Sequence, residues 1–224
     1  MVVLEAFAYF KWELKLIFRT GGSLVNVVGF FTIFVLLFPI GISFESDNLS
    51  KLTPIILWIS SLLSVLIALD RFFLLDEEDG TLEYISLSAL PMETIILIKM
   101  ISHWLTTGLP LTILSPLFAL TLNLPFPSYG WLLISLLIGT PALSFIGAIG
   151  ASLTLSTRRG SLLTALIVLP LYVPTLIFGI KLIELSIIGE SILTAFLLLS
   201  ATTLLSLVIA PFISAIAIRI HWKY

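Results

Sequence analysis

Asp76-Glu77-Glu78-Asp79-Gly80-Thr81-Leu82-Glu83-Tyr84-Ile85-Ser86-Leu87-Ser88 gathers five carboxylates around one glycine, between two long apolar runs. The chain around it is 59% hydrophobic and 11% charged, with a mean hydropathy of +1.19. Soluble domains carry about a quarter charged residues. Carboxylates in such number belong in water, so the stretch reads as a loop joining two membrane spans. After Gly80 the spacing predicts a short amphipathic helix over Thr81–Leu87. Leu82, Ile85 and Leu87 lie on its apolar side and Glu83 faces solvent. Acidic residues at its start suit the positive end of the helix dipole, and Pro91 stops it. A short helix held at the membrane surface between two spans is a lever that a partner can push.

About 20 mainly apolar residues cross roughly 30 Å of hydrocarbon. Working outward from the acidic loop, the runs of that kind are 24–44, 52–75, 95–122, 129–155, 161–183 and 192–220. Ahead of them, Val3, Phe7, Phe10, Leu14 and Ile17 recur at helical spacing, with Lys11, Lys15 and Arg19 on another face. Residues 1–20 are therefore expected to form an interfacial amphipathic helix with its cations near anionic headgroups, ending at Gly21-Gly22. The expected fold class is an all-α membrane protein: six transmembrane helices, the interfacial helix and a short cytoplasmic coupling helix between spans two and three. It forms a single domain over residues 1–224.

An N-terminus in the cytoplasm puts Lys11, Lys15, Arg19, Arg71, Lys99, Arg158, Arg159, Arg219 and Lys223 on that side, and only Lys51 and Lys181 outside. Acidic residues weigh little in this rule, so both termini, the Gly80 loop and the Arg158-Arg159 turn are expected to be cytoplasmic. No cleavable signal peptide is apparent in the first 19 residues.

Enzymatic chemistry is poorly provided for. There is no cysteine, no GxxxxGK[ST] loop for ATP phosphates, no HExxH zinc pair and no GxSxG elbow. No metal site and no nucleic-acid partner are expected. The carboxylates sit at or near loops and interfaces rather than at mid-span, which argues against proton coupling. Energy supplied by a separate cytoplasmic ATPase fits better, with Asp76, Glu77, Asp79, Gly80, Thr81, Leu82 and Glu83 as the contact. A non-catalytic membrane subunit is the expected role.

Within the spans, His103-Trp104 is a candidate substrate contact, because an intramembrane histidine can ligate haem iron or move a proton; interfacial anchoring is the bland alternative. Pro39, Pro110, Pro116, Pro141, Pro170, Pro174 and Pro211 each remove a backbone hydrogen bond and can kink a helix. In span four, Gly139, Thr140, Ser144, Gly147, Ala148, Ala151 and Ser152 give small-residue faces for close helix packing, within the chain or across a dimer.

Five ordered blocks carry a resemblance: DEEDGTLEYISLSALP (76–91), SHWLTTGLPLTILSP (102–116), GTPALSFIGAIGASLTL (139–155), RRG (158–160) and LPLYVPTLIFG (169–179). Together they resemble the haem exporter permease of cytochrome c maturation, the B subunit of an ABC transporter. The GTLE element alone is shared by many ABC-2 permeases. The resemblance implies one permease domain without a bound cofactor of its own, with haem as cargo of the complex and ATP on a partner. It implies a cytoplasmic ATP-binding subunit (A), a haem-handling membrane subunit (C), a small membrane subunit (D), a haem chaperone (E) and a homodimer. The function implied is coupling of ATP hydrolysis to haem export or to release of the haem-loaded chaperone. A bacterial inner membrane is the implied location, with the mitochondrial inner membrane as the alternative. The competing readings are a permease of another ABC-2 exporter, for lipid, polysaccharide or drug, and a non-transporting scaffold for an ATPase.

Overall fold

A computed structural model of the chain describes residues 2–20, 22–41, 47–69, 72–78, 80–81, 90–155 and 160–221. The helices in order are α1 (Val2–Thr20), α2 (Gly22–Gly41), α3 (Asp47–Leu69), α4 (Leu74–Glu78), α5 (Met92–Thr106), α6 (Gly108–Thr121), α7 (Tyr129–Leu153), α8 (Gly160–Ile188) and α9 (Leu193–His221). A 3-10 turn, Phe126–Ser128, leads into α7. Among the described residues, six segments are long and apolar enough to cross a membrane: Leu24–Gly41, Leu49–Leu69, Met92–Thr121, Phe126–Leu153, Leu162–Ile188 and Leu193–His221. The protein is an all-α, multi-pass membrane protein.

Specific side-chain contacts fix the direction of each span. Trp104 meets Thr140 and His103 meets Ser144, so α5 and α7 run antiparallel. Ser135 reaches Gly179 and Tyr172 reaches Leu143, so α7 and α8 do too. Arg219 pairs with Glu93, which sets the end of α9 beside the start of α5. One end of the bundle thus gathers α1, α4, the start of α5 and the end of α9. At the other end, the Thr53 hydroxyl donates to the Leu122 carbonyl at 2.8 Å.

The centre is built around Trp58 of α3, wholly buried. Its indole N–H donates to Ser135 Oγ at 3.0 Å, and that hydroxyl donates to the Gly179 carbonyl at 2.8 Å. Gly139 and Gly179 make room for the ring: a Cβ on either would lie 2.3 and 2.1 Å from indole carbons. With no hydrophobic force between helices in lipid, such close approach is what holds spans together.

Span three is not one helix. It breaks between α5 and α6 at Thr107, φ −122° and ψ −72°. Pro110 is the local cause, since it has no N–H for the Thr106 carbonyl and its ring crowds that oxygen. Hydroxyls nearby bond back to carbonyls of the same segment: Thr106 Oγ1 to Ser102 O at 2.9 Å, Thr107 Oγ1 to His103 O at 2.6 Å and Thr112 Oγ1 to Gly108 O at 2.9 Å. Pro39, Pro116, Pro141, Pro170, Pro174 and Pro211 instead lie inside continuous helices, as does Pro54 of α3.

Several span boundaries differ from those expected, span five for instance running to Ile188 rather than to 183. Span two ends at Leu69 rather than at 75, because Phe72 and Phe73 turn and α4 follows. Span three starts at Met92 rather than at 95, so that Lys99 is its eighth residue. The interfacial helix is present as α1, but its apolar stripe is split. Val3 and Phe7 point outward, 82% and 55% exposed, while Phe10, Leu14 and Ile17 are half-buried. The outward face, with Lys11 and Lys15 beside Phe7 and Trp12, has the mixed character of a helix at a lipid headgroup layer.

Candidate functional site

Lys99, the eighth residue of α5, is 4% exposed and holds two carboxylates. Its Nζ lies 2.8 Å from Glu13 Oε1 of α1 and 2.7 Å from Asp76 Oδ2 of α4. Both acids are buried as well, each 6% exposed. Tyr9, one turn before Glu13, stands beside the three charges. Burial pushes its phenol up, with the Lys99 charge opposing, so it stays neutral at physiological pH.

The acidic cluster therefore does not lie wholly in water, as its composition suggests. Asp76 is turned inward because a buried ammonium needs a counter-charge, and a carboxylate one helix away supplies it. Glu77 faces the C-terminal helix, 3.8 Å from His221 Nε2, and Glu93 pairs with Arg219 at 2.8 Å. Residues on both flanks of the Gly80 loop are thus tied to α1, α5 and α9. Gly80 itself has φ +69°, a left-handed conformation suited to glycine, and its N–H donates to Glu77 O at 3.2 Å, closing α4. Thr81 is half-buried. Asp79, Leu82, Glu83 and most of the expected short helix lie outside the described residues, as do Arg158 and Arg159.

His103 is enclosed, 8% exposed, among α5, α7 and the Phe72 ring, whose centroid is 4.9 Å from its own. Its Nδ1 is 2.9 Å from Ser144 Oγ and 3.4 Å from Thr107 Oγ1. Trp104 donates to Thr140 Oγ1 at 3.0 Å. This pair clamps α5 to α7 just before the break in span three. A ring so enclosed has no face open to a macrocycle in this packing.

The small residues of span four are taken up inside the chain. A Cβ on Gly147 would strike Leu69 of α3 and the Tyr172 hydroxyl of α8; one on Gly150 would strike Val168 of α8. Gly139, Ser144, Gly147, Ala148 and Ala151 are all buried. Each faces a neighbouring span of the same chain or the core between them.

Glu13, Lys99, Tyr9 and Trp58 escaped sequence reasoning. A signal existed for the first two: Lys99 lies within an apolar run and Glu13 breaks a cationic helix. A charge inside a span points to a partner.

The family model described as CcmB protein matches residues 4–221. Similar curated proteins include Heme exporter protein B of Paracoccus denitrificans, 48% identical over 94% of this chain and 97% of its own length. Heme exporter protein B of Rhodobacter capsulatus is 46% identical, with the same coverage. That of Escherichia coli is 39% identical over 94% of this chain and 96% of its own. Likeness of this extent, through all six spans, makes the chain a member of the CcmB protein family.

Proposed function

We propose that the protein is the permease subunit of a haem-delivery complex of cytochrome c biogenesis, in a bacterial inner membrane. The carrying observation is its similarity, over nearly the whole chain, to proteins named Heme exporter protein B. Energy comes from a separate ATP-binding subunit, because the sequence has no phosphate-binding loop of its own. That subunit docks at the Gly80 loop on the cytoplasmic side, where the bias of Lys and Arg also puts both termini. Two copies of the chain stand over two ATPase subunits, alongside the haem-handling, small membrane and chaperone partners.

Asp79, Leu82 and Glu83 present the contact, and the ion pairs of Asp76, Glu77 and Glu93 carry its displacement to α1, α5 and α9. The break at Thr107 lets α5 tilt without dragging α6, so a push at the loop reaches the membrane interior as a change in angle. Haem, or the haem-loaded chaperone, is the cargo released. The chain holds no cofactor of its own in this scheme.

Deletion of the gene in its native host tests this reading, with covalent haem in c-type cytochromes followed by haem staining. Loss of staining, restored by the wild-type gene, is expected. Undiminished c-type cytochromes in the deletion strain overturn it.

A further inference from the structure

We infer that Lys99 is a positioning residue that joins α1, α4 and α5 into one rigid coupling body, so that the interfacial helix moves with the ATPase contact. The inference rests on the proposed docking of an ATPase at the Gly80 loop.

Three observations carry it. First, Lys99 spans separate elements: its ammonium holds Glu13 from the N-terminal helix and Asp76 from the segment entering the loop, while its own helix leaves that loop. Secondly, among the described residues its two ion pairs are those that solvent does not weaken. Arg219–Glu93, His221–Glu77 and Lys181–Glu184 each have a side chain 39% exposed or more, whereas all three members of the Lys99 group are nearly sealed. Exposed pairs are screened and labile; buried ones hold their geometry. Thirdly, apolar packing holds α1 incompletely, since Phe10, Leu14 and Ile17 are half-buried rather than sealed. α1 presents a carboxylate and a phenol to α5 at its most buried point, and its outer face is apolar and cationic. A buried ionic link specifies one register of α1 against α5, which a smooth apolar contact does not.

The result is a lever with a defined pivot. The body ends at the His103–Ser144 and Trp104–Thr140 bonds, one turn before Thr107. Motion of the loop is delivered to α1 at the membrane surface and to the break in span three together.

The native sequence has no cysteine, so spin labels at Leu4→Cys on α1 and Leu74→Cys on α4, both exposed, report the distance within one chain when labelled chains are diluted with unlabelled ones in the purified full complex. The wild-type background should give a single narrow distance, and Lys99→Met a broad one, with nucleotide-driven turnover of the complex reduced about tenfold. The triple variant Glu13→Gln, Asp76→Asn, Lys99→Met removes the stranded charges while keeping the side-chain shapes, so it separates loss of the link from loss of the fold. It should show the same broadening and the same loss while remaining assembled. A triple variant with the wild-type distance, or with turnover within about twofold of wild type, overturns the inference. A wild-type complex that contains no ATPase defeats the docking reading instead, and the distance measurement still decides whether Lys99 holds α1 to α4.

Discussion

Trp58 shows how a single side chain sets the spacing of three spans. Its indole is clasped between Gly139 of α7 and Gly179 of α8, with Ser135 linking its N–H to the α8 backbone. Gly179→Ala should destabilise the protein by about 1–3 kcal/mol through overpacking. Trp58→Phe in the same chain should recover part of that loss, as read by thermal unfolding in detergent. Gly29→Ala, where no atom lies within 4 Å, serves as the neutral comparison. Ser144 offers a second test at this scale. Its removal as Ser144→Ala leaves His103 Nδ1 without its nearest partner and should cost about 1–3 kcal/mol, while Ser144→Ala with His103→Phe should recover stability because no polar group is stranded. The small residues of span four were legible as a packing face. Their partners were not, because spacing along one helix carries no information about which neighbour fills the gap.

At the scale of elements, α5 carries the most consequence: Lys99 at its midpoint, His103 and Trp104 near its end, and a break beyond. Removing the Lys99 ammonium by Lys99→Ala strands two buried carboxylates and should lower stability by about 3–5 kcal/mol. Neutralising all three members should cost much less, since both the attraction and the desolvation vanish together. Equilibrium unfolding of the two variants in the same detergent compares them directly. Sequence patterning located this helix and put Lys99 near its cytoplasmic end, because a lysine in an apolar run reads as a membrane boundary. Only the approach of Asp76 and of Glu13, the latter 86 residues distant in sequence, makes burial of that charge tolerable. Pro110 was legible as a possible kink. That span three breaks beside Pro110, while Pro141 and Pro170 sit in continuous helices, is a difference that the residue type itself does not carry.

For the whole molecule, six apolar runs and an amphipathic N-terminal helix were enough to read the architecture, since hydrocarbon allows few ways of satisfying a backbone. The order of five motif blocks pointed to the family, and the match over residues 4–221 establishes it. What patterning did not reveal is that one end of the bundle is an ionic assembly, with α1, α4, α5 and α9 linked through Glu13, Asp76, Lys99, Glu77, His221, Glu93 and Arg219. Long-range pairing leaves no trace in local periodicity. Reversal of the loop charges as Asp79→Lys with Glu83→Lys should detach or uncouple the ATPase without disturbing the spans, read as loss of co-purification with the chain still in the membrane.

Coupling to a separate ATPase is tested most directly by purifying the tagged chain from its native membrane in mild detergent and identifying its partners by mass spectrometry. An ATP-binding subunit recovered together with haem-handling membrane proteins is the expected outcome. A chain recovered with no nucleotide-binding subunit, or with an ATPase accompanied by lipid or glycan enzymes, would overturn the assignment.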